Sequence, residues 1–149
     1  MGRGPIVTID IPQLKFVRNY NGRFRCHSKT AALFTALFKK WEQADLLHLT
    51  MTYEGCFVPR YKIGKAPSNS GHGVKKSSDV GALSNHSFGS AFDINYIDNQ
   101  YGAVPALCGQ RGSVRELVAA ANSLRIYWGG HFGTKDGMHF EVSKLSSPR

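Results

Sequence analysis

The strongest periodic pattern in the chain lies in residues 27–47, where apolar side chains recur at helical spacing. Charged and polar residues fall mostly on the opposite side, so the pattern predicts an amphipathic helix. Ser28 is its predicted N-cap, because a serine hydroxyl can accept a hydrogen bond from the first helical turn. The apolar face, which is rich in aromatic residues and typical of a protein core, consists of Ala31, Phe34, Leu37, Phe38, Trp41 and Ala44.

A second helix is predicted over residues 113–124. Ser113 is followed three residues later by Glu116, a spacing that fits a capping box at the start of a helix. The apolar stripe of this helix consists of Val114, Leu117, Val118, Ala121 and Leu124.

The N-terminal part of the chain has an extended character. Residues 6–17 begin with apolar side chains at alternate positions, and Pro12 then interrupts the run. Proline is confined to the edges and ends of sheets, because it cannot donate a ladder hydrogen bond. Residues 1–23 are therefore predicted to form an N-terminal arm or an edge strand.

Further short extended segments complete the predicted fold. In residues 91–96, side chains at alternate positions share one face, which puts Asp93 beside Ala91 and Asn95. Helices and strands in mixed order favour an α+β fold with a small antiparallel sheet flanked by helices. The other predicted extended segments are residues 49–53, 55–60 and 139–142.

Two segments are predicted to be irregular. Residues 62–84 are rich in glycine, serine, lysine and asparagine and show no periodicity, which indicates a long loop. Residues 128–137 form a glycine-rich turn. Both lie next to candidate functional residues, so we expect them to flank a site.

The length and composition are those of one globular unit. The chain has 149 residues, of which 42% are hydrophobic and 19% charged, and this predicts a single domain over residues 1–149 that acts as a monomer. No segment has the features of a secretory signal, and none approaches the roughly 18 consecutive apolar residues of a membrane span. Insertion into a membrane is not expected.

Basic residues outnumber acidic ones by 19 − 10 = 9. The excess is concentrated in residues 3–29 and 60–76, and such fields favour polyanionic partners such as teichoic acid, anionic murein, lipopolysaccharide or nucleic acid. A solvated basic surface without a partner is the alternative interpretation. No basic helix with base-reading residues is visible, so nucleic acid is not the favoured partner.

The three cysteines, Cys26, Cys56 and Cys108, are odd in number and lack the Cys-x-x-Cys spacing. They therefore predict neither a disulfide framework nor a thiolate zinc site. Buried free thiols are the expected state.

Two short segments concentrate the side chains that a metal site needs, residues 84–93 and 136–141. A catalytic zinc ion takes three protein ligands and keeps a fourth position open, and His86, Asp93 and His139 supply a suitable set. Asp136 lies on the turn before His139, where a carboxylate can serve as a general base without binding the metal. The sequence thus predicts a hydrolytic zinc site.

The same segments resemble a known family. The strings SxHxxGxAxD at residues 84–93 and DxMHFE at 136–141, the latter after Trp-Gly-Gly at 128–130, are similar to the murein metallopeptidases. That family includes VanX- and VanY-type D-Ala-D-Ala carboxypeptidases, L-alanyl-D-glutamate endopeptidases and several phage endolysins. A further likeness lies in residues 55–60, and the resemblance covers roughly residues 24–142.

The resemblance implies roles for individual residues. It implies one Zn²⁺ per chain held by His86, Asp93 and His139, with Asp136 as the catalytic acid and base. Arg60 would contact the substrate or the oxyanion, and Ser84 would contact the substrate or support a ligand. The fold implied is the zinc fold shared by Hedgehog domains and D-Ala-D-Ala peptidases.

The resemblance also implies a substrate, the peptide stem of peptidoglycan. Asp136 stands where parts of the family have glutamate and is similar to the endopeptidase branch, which favours cleavage between L-Ala and D-Glu. The alternatives are a D-Ala-D-Ala carboxypeptidase and, from another class, a non-catalytic zinc module that binds cell wall. Action on the wall would follow holin-like release, delivery by a secretion system, or export as part of a longer protein.

Other histidines are also candidate ligands. His27 and His48 are interpreted as helix-end residues and His72 as a loop residue, whereas the glycine-rich turn can bring His131 to the rim of the site. Glu141 is expected either to orient His139 or to form a structural ion pair.

Overall fold

The structure is a computed structural model that describes residues 4–17, 20–57 and 85–142. It confirms the predicted α+β class with antiparallel sheets and two α-helices; the specific zinc fold stays a prediction. Several short 3-10 helices connect the main elements. In chain order the main elements are β1 (Ile6–Asp10), β2 (Arg23–His27), α1 (Ala31–Gln43), β3 (Tyr53–Gly55), β4 (Ala91–Ile94), α2 (Val118–Ser123), β5 (Ile126–Trp128) and β6 (His139–Val142).

Two antiparallel sheets form the β-structure of the described residues. Strands β1 and β2 pair with each other, and the larger sheet has the order β3-β4-β6-β5. In the larger sheet, Asp93 lies opposite His139 on one side and opposite Gly55 on the other. The centre of the sheet therefore brings together two polar residues that are 46 positions apart in the sequence.

The core lies between α1 and the larger sheet. Phe34, Leu37, Phe38 and Trp41 of α1 are fully buried, which confirms the predicted apolar face of this helix, except that Ala44 follows the helix and is exposed. On β4 and β6, Phe92 stacks on Phe140 with ring centroids 5.6 Å apart. Burial of such aromatic side chains contributes most of the stabilisation of a small domain.

The predicted start of the first helix is wrong. Helix α1 begins at Ala31, and Ser28 lies in the turn before it, where its N–H donates to the carbonyl of Pro5. The reason is tertiary: pairing of β2 with β1 keeps the backbone extended as far as His27. His27 is therefore the last residue of a strand rather than the end of a helix.

Other predicted boundaries move for similar reasons. The predicted strand at residues 49–53 is replaced by β3 (Tyr53–Gly55), and His48 lies in a 3-10 helix (Leu47–Leu49). Strand β4 ends at Ile94 because Asn95 has a left-handed backbone, with φ 55°.

The second helix is shorter than predicted and is preceded by a 3-10 turn (Arg115–Leu117). Ser113 and Glu116 do interact, but the hydroxyl of Ser113 lies 2.5 Å from the carboxylate of Glu116 instead of capping its N–H. The Ser113 hydroxyl does accept from a backbone N–H, that of Arg115 at 3.3 Å, so Ser113 caps this turn, but not through the reciprocal pair of bonds that a capping box has.

All three cysteines are free, as predicted. Cys26 and Cys56 are buried, but Cys108 is exposed in a turn outside the two sheets, so the expectation of burial is wrong for that residue.

Within the described ranges, neither α1 nor α2 nor any other helix has the length and apolarity that crossing a membrane requires.

Candidate metal centre

Three buried side chains meet at the centre of the larger sheet. His86 lies in a 3-10 helix (Asn85–Phe88), Asp93 on β4 and His139 on β6. Nε2 of His86 lies 3.1 Å from Oδ1 of Asp93 and 3.1 Å from Nδ1 of His139. Nδ1 of His139 is 3.3 Å from the same carboxylate oxygen. The structure thus brings together the three residues that the sequence predicts as metal ligands.

The tautomer of His86 is set by the backbone carbonyl of Cys56, the residue that follows β3. Nδ1 of His86 lies 3.0 Å from the carbonyl oxygen of Cys56. Because a carbonyl oxygen only accepts, Nδ1 carries the proton and Nε2 keeps a lone pair directed at the cluster. A histidine in this arrangement is ready to bind a metal through Nε2.

His139 is held in the complementary way by a carboxylate. Nε2 of His139 lies 2.7 Å from Oε1 of Glu141, so this nitrogen donates and Nδ1 faces the cluster, where its lone pair becomes available once its proton leaves. The side chain of Asn85 in turn donates to Glu141. Orientation of a ligand histidine by a carboxylate is the usual support of metal sites in proteins.

The electrostatics of the cluster favour positive charge. Burial raises the pKa of Asp93, but hydrogen bonds from His139 and His86 outweigh it and hold this pKa well below its usual value. Burial lowers the pKa of His139, but hydrogen bonds to Asp93 and Glu141 outweigh that and raise it to about 9. Burial raises the pKa of Glu141, but the hydrogen bond and the charge of His139, together with a hydrogen bond from Asn85, outweigh burial and lower this pKa.

The spacing and chemistry of these atoms fit a zinc ion. A tetrahedral zinc ion with Zn–N and Zn–O distances of about 2.0–2.2 Å separates its ligand atoms by about 3.3–3.5 Å. The observed separations of 3.1–3.3 Å are close to this range. Two imidazole lone pairs and a carboxylate repel one another at such distances unless a cation or a proton lies among them. The cluster could therefore hold a metal ion.

Gly89 lets the His86 segment pack against β2. Its φ is +70°, and an added Cβ would lie 2.4 Å from the backbone nitrogen of His27. Its carbonyl oxygen accepts from the N–H of His27 at 2.9 Å and lies 3.0 Å from the hydroxyl of Thr30. Glycine is thus required here by conformation and by space.

Gly129 has a similar role beside Asp136. A Cβ on Gly129 would lie 2.3 Å from the carbonyl oxygen of Asp136 and 3.1 Å from Cβ of His139. The carbonyl oxygen of Gly129 accepts from the N–H of Asp136 at 2.9 Å. The indole N–H of Trp128 donates to the carbonyl of Gly137 at 2.7 Å, which closes the turn. The turn is therefore fixed at both ends around Asp136.

Asp136 borders the cluster without joining it. Its Oδ2 lies 3.8 Å from Nδ1 of His139, and the three residues that share one candidate ion are His86, Asp93 and His139. The side chain is 17% exposed, so water can reach it. This is the position that a proton-transferring carboxylate needs beside a metal.

The remaining predicted residues lie apart or outside the described ranges. His27 is buried at the end of β2 and His48 is exposed, and neither belongs to the cluster. His131 is exposed and packs edge-on against Trp128, with ring centroids 5.1 Å apart. Arg60, Ser84 and His72 lie outside the described residues, as does the loop predicted at residues 62–84.

Three contributors to the site were missed by the sequence analysis. The carbonyl of Cys56 left no signal, because every residue has one. Asn85 was visible as a polar neighbour of His86, and its position before the histidine was the available clue. Phe132 packs against the ring of His139 at 5.9 Å and is 36% exposed, so it forms an apolar border of the site.

Comparison with known proteins gives one family. Residues 78–142 match the family described as D-alanyl-D-alanine carboxypeptidase. That segment contains the three clustered residues and Asp136. No curated protein and no solved structure matches the chain.

Proposed function

We infer that this chain is a zinc-dependent peptidase of peptidoglycan stem peptides. The inference rests on its membership in the murein metallopeptidase family, which the match over residues 78–142 supports. The observation that carries the proposal is the convergence of His86, Asp93 and His139 beside Asp136. In this proposal the first three hold one Zn²⁺ per chain.

When bound, zinc supplies Lewis acidity, which lowers the pKa of a water molecule to about 7 and polarises the scissile carbonyl. Asp136 accepts the proton of the attacking water and later returns it to the leaving amine. Because Glu141 and the carbonyl of Cys56 fix both imidazole rings, no ligand has to reorganise during the reaction. Arg60 and Ser84 remain proposed substrate contacts.

The bond that we propose for cleavage is the one between L-Ala and D-Glu. Asp136 supports this choice, because an aspartate at this position resembles the endopeptidase branch of the family. The description of the matched family favours a second candidate, release of terminal D-Ala by a carboxypeptidase. Both reactions use the same metal, the same proton carrier and the same class of substrate.

A function of another class is a module that binds cell wall through a zinc-stabilised fold without hydrolysing it. The position of Asp136 argues against this alternative, since a merely structural metal does not need a carboxylate at its border.

Labelling of new amino termini tests the proposed bond. Sacculi digested with the zinc-loaded chain are treated with a dinitrophenyl reagent and hydrolysed, and the labelled amino acids are identified. The endopeptidase proposal expects labelled glutamate. Free D-Ala without labelled glutamate would assign the carboxypeptidase reaction, and neither product would favour the binding module.

A further inference from the structure

A cavity of about 320 Å³ lies between the two sheets, on the side of β3. Its volume is at the lower end for ligand pockets, which suits a single amino acid residue rather than an extended polymer. We call it the arginine pocket; its main lining side chains are Tyr20, Arg23, Arg25, Tyr53, Cys56 and Phe57.

The charges that line the arginine pocket favour an anion. Arg23 and Arg25 alternate along β2, so both side chains project from the same, exposed face. None of the lining residues in the described part of the chain is acidic. Asp10, which lies opposite Arg23 in the register, is outside the lining and is 3.7 Å from Lys15. Guanidinium groups bind carboxylates through charge-assisted hydrogen bonds.

Aromatic rings hold this basic surface in place. The guanidinium of Arg25 lies 5.0 Å from the centroid of the Phe57 ring, a cation–π distance. The hydroxyl of Tyr20 donates to the carbonyl of Arg23, and the rings of Tyr20 and Tyr53 are 4.9 Å apart. The pocket therefore offers an apolar wall for the body of a residue and a cationic wall for its carboxylate.

The arginine pocket is joined to the metal centre by β3 and the residue that follows it. Gly55, which also lines the pocket, lies opposite Asp93 in the sheet. Cys56 lines the pocket, and its carbonyl oxygen lies 3.0 Å from Nδ1 of His86. A group bound in the pocket is thus separated from His86, a candidate ligand, by the backbone of Cys56.

Both candidate substrates present a free carboxylate next to the bond that is cut. At the L-Ala–D-Glu bond, the leaving residue is D-Glu, whose γ-carboxyl group continues the stem and whose α-carboxylate is free. At the D-Ala–D-Ala bond, the leaving residue is the last D-Ala, which carries the terminal carboxylate. We propose that the arginine pocket binds the free α-carboxylate of the leaving residue, with Arg25 and Arg23 as its specificity-determining residues. This inference rests on the proposed function, but it holds for either bond.

Binding of matched peptides tests the proposal. The zinc-loaded chain carrying Asp136→Ala, which prevents turnover, is titrated calorimetrically with two pairs of stem peptides. One pair has the α-carboxylate of D-Glu free or amidated, and the other has the terminal D-Ala carboxylate free or amidated. We expect at least one pair to bind about tenfold more tightly as the free acid, the effect of one charge-assisted hydrogen bond.

Arginine variants assign that preference to the pocket. Arg25→Gln and Arg23→Gln should each reduce the preference for the free acid, whereas Arg111→Gln, at an exposed position outside the pocket, should leave it unchanged. Equal binding of acid and amide in both pairs would overturn the proposal. So would a preference that survives both pocket variants together.

Two further measurements distinguish the proposal from its alternatives. Arg25-dependent binding of polyglycerol phosphate, without any preference among the peptides, would overturn the proposal in favour of a wall-polymer site. The failure of the proposed function is recognised independently: the zinc-loaded wild-type chain would then leave all four peptides uncut. A carboxylate preference that depends on Arg25 would still establish the pocket.

Discussion

Nε2 of His139 lies 2.7 Å from Glu141, and Nδ1 lies 3.3 Å from Asp93. Although burial lowers the pKa of His139, these two carboxylates raise it from 6.5 to about 9 in the metal-free chain. A metal ion that binds Nδ1 must displace the proton held there. The pH dependence of zinc affinity should therefore include the release of this proton.

We expect the apparent zinc affinity to rise about tenfold per pH unit between about pH 6.5 and 9 and then to level off. The sign follows from the raised pKa, since protonated His139 predominates below pH 9 and competes with the metal. Competition with a chromophoric chelator at several pH values measures this dependence. In Glu141→Gln the plateau should begin at a lower pH, and an affinity that does not change above pH 6.5 in the wild type would contradict the account.

Asp136 and His86 differ in what their removal should change. Asp136→Ala should abolish hydrolysis and retain about one zinc per chain, because we propose that its carboxylate transfers protons without binding the metal. His86→Ala should lose zinc together with activity, since it removes one of the three proposed protein ligands.

Metal analysis of the purified variants, beside a peptide assay, distinguishes the two roles. His131→Ala is the matched control for the histidine variant, because His131 is exposed and is not one of the three clustered residues, and it should keep its zinc. Loss of zinc from Asp136→Ala would show that this residue is a ligand.

At the scale of the elements, the close approach of the His86 segment to β2 depends on Gly89. Gly109 has a similar left-handed backbone, with φ +81° against +70°, but an added Cβ would meet nothing within 4 Å. The two glycines share the conformational requirement and differ only in the space around them.

Gly109→Ala should lower the free energy of unfolding by about 1 kcal/mol, the cost of a left-handed alanine. Gly89→Ala should lower it by about 2 kcal/mol more, because its Cβ would lie 2.4 Å from the backbone nitrogen of His27. Chemical denaturation of the zinc-free variants measures both values. Equal losses would mean that β2 moves away at little cost and that the contact does not hold His86 in place.

The sequence predicted the elements from local periodicity but not their limits. Helix α1 and strand β6 were found because their apolar positions are regular. The start of α1 was misplaced because pairing of β2 with β1, which keeps residues 23–27 extended, is a non-local interaction. A capping residue such as Ser28 carries no information about a strand that pairs elsewhere.

The candidate ligands could be predicted because the metal site needs particular side chains at particular spacings. Their support could not be predicted to the same depth. The carbonyl of Cys56 comes from a residue 30 positions before His86, and any residue type could supply it. The arginine pocket was missed for the same reason: Arg25 and Phe57 meet only because β2 and the segment that follows β3 fold together.

At the scale of the whole molecule, the net charge of +9 predicts attraction to the anionic cell wall. Binding of the chain to sacculi should weaken steeply as salt rises, because the Debye length falls from about 10 Å at 0.1 M to about 3 Å at 1 M. Cleavage of a small neutral stem peptide should change little over the same range. Pelleting assays and peptide kinetics in matched buffers measure the two effects, and binding to sacculi that is independent of salt would contradict the expectation.

We propose above that the cluster of His86, Asp93 and His139 holds the zinc ion of a peptidase that cuts the peptidoglycan stem. Mass spectrometry of muropeptides after digestion of sacculi, with and without a chelator, tests it most directly. We expect peptide products cut within the stem, their loss in chelator and their return when zinc is restored. Identical muropeptides with and without the chain, or products that persist in chelator, would contradict it.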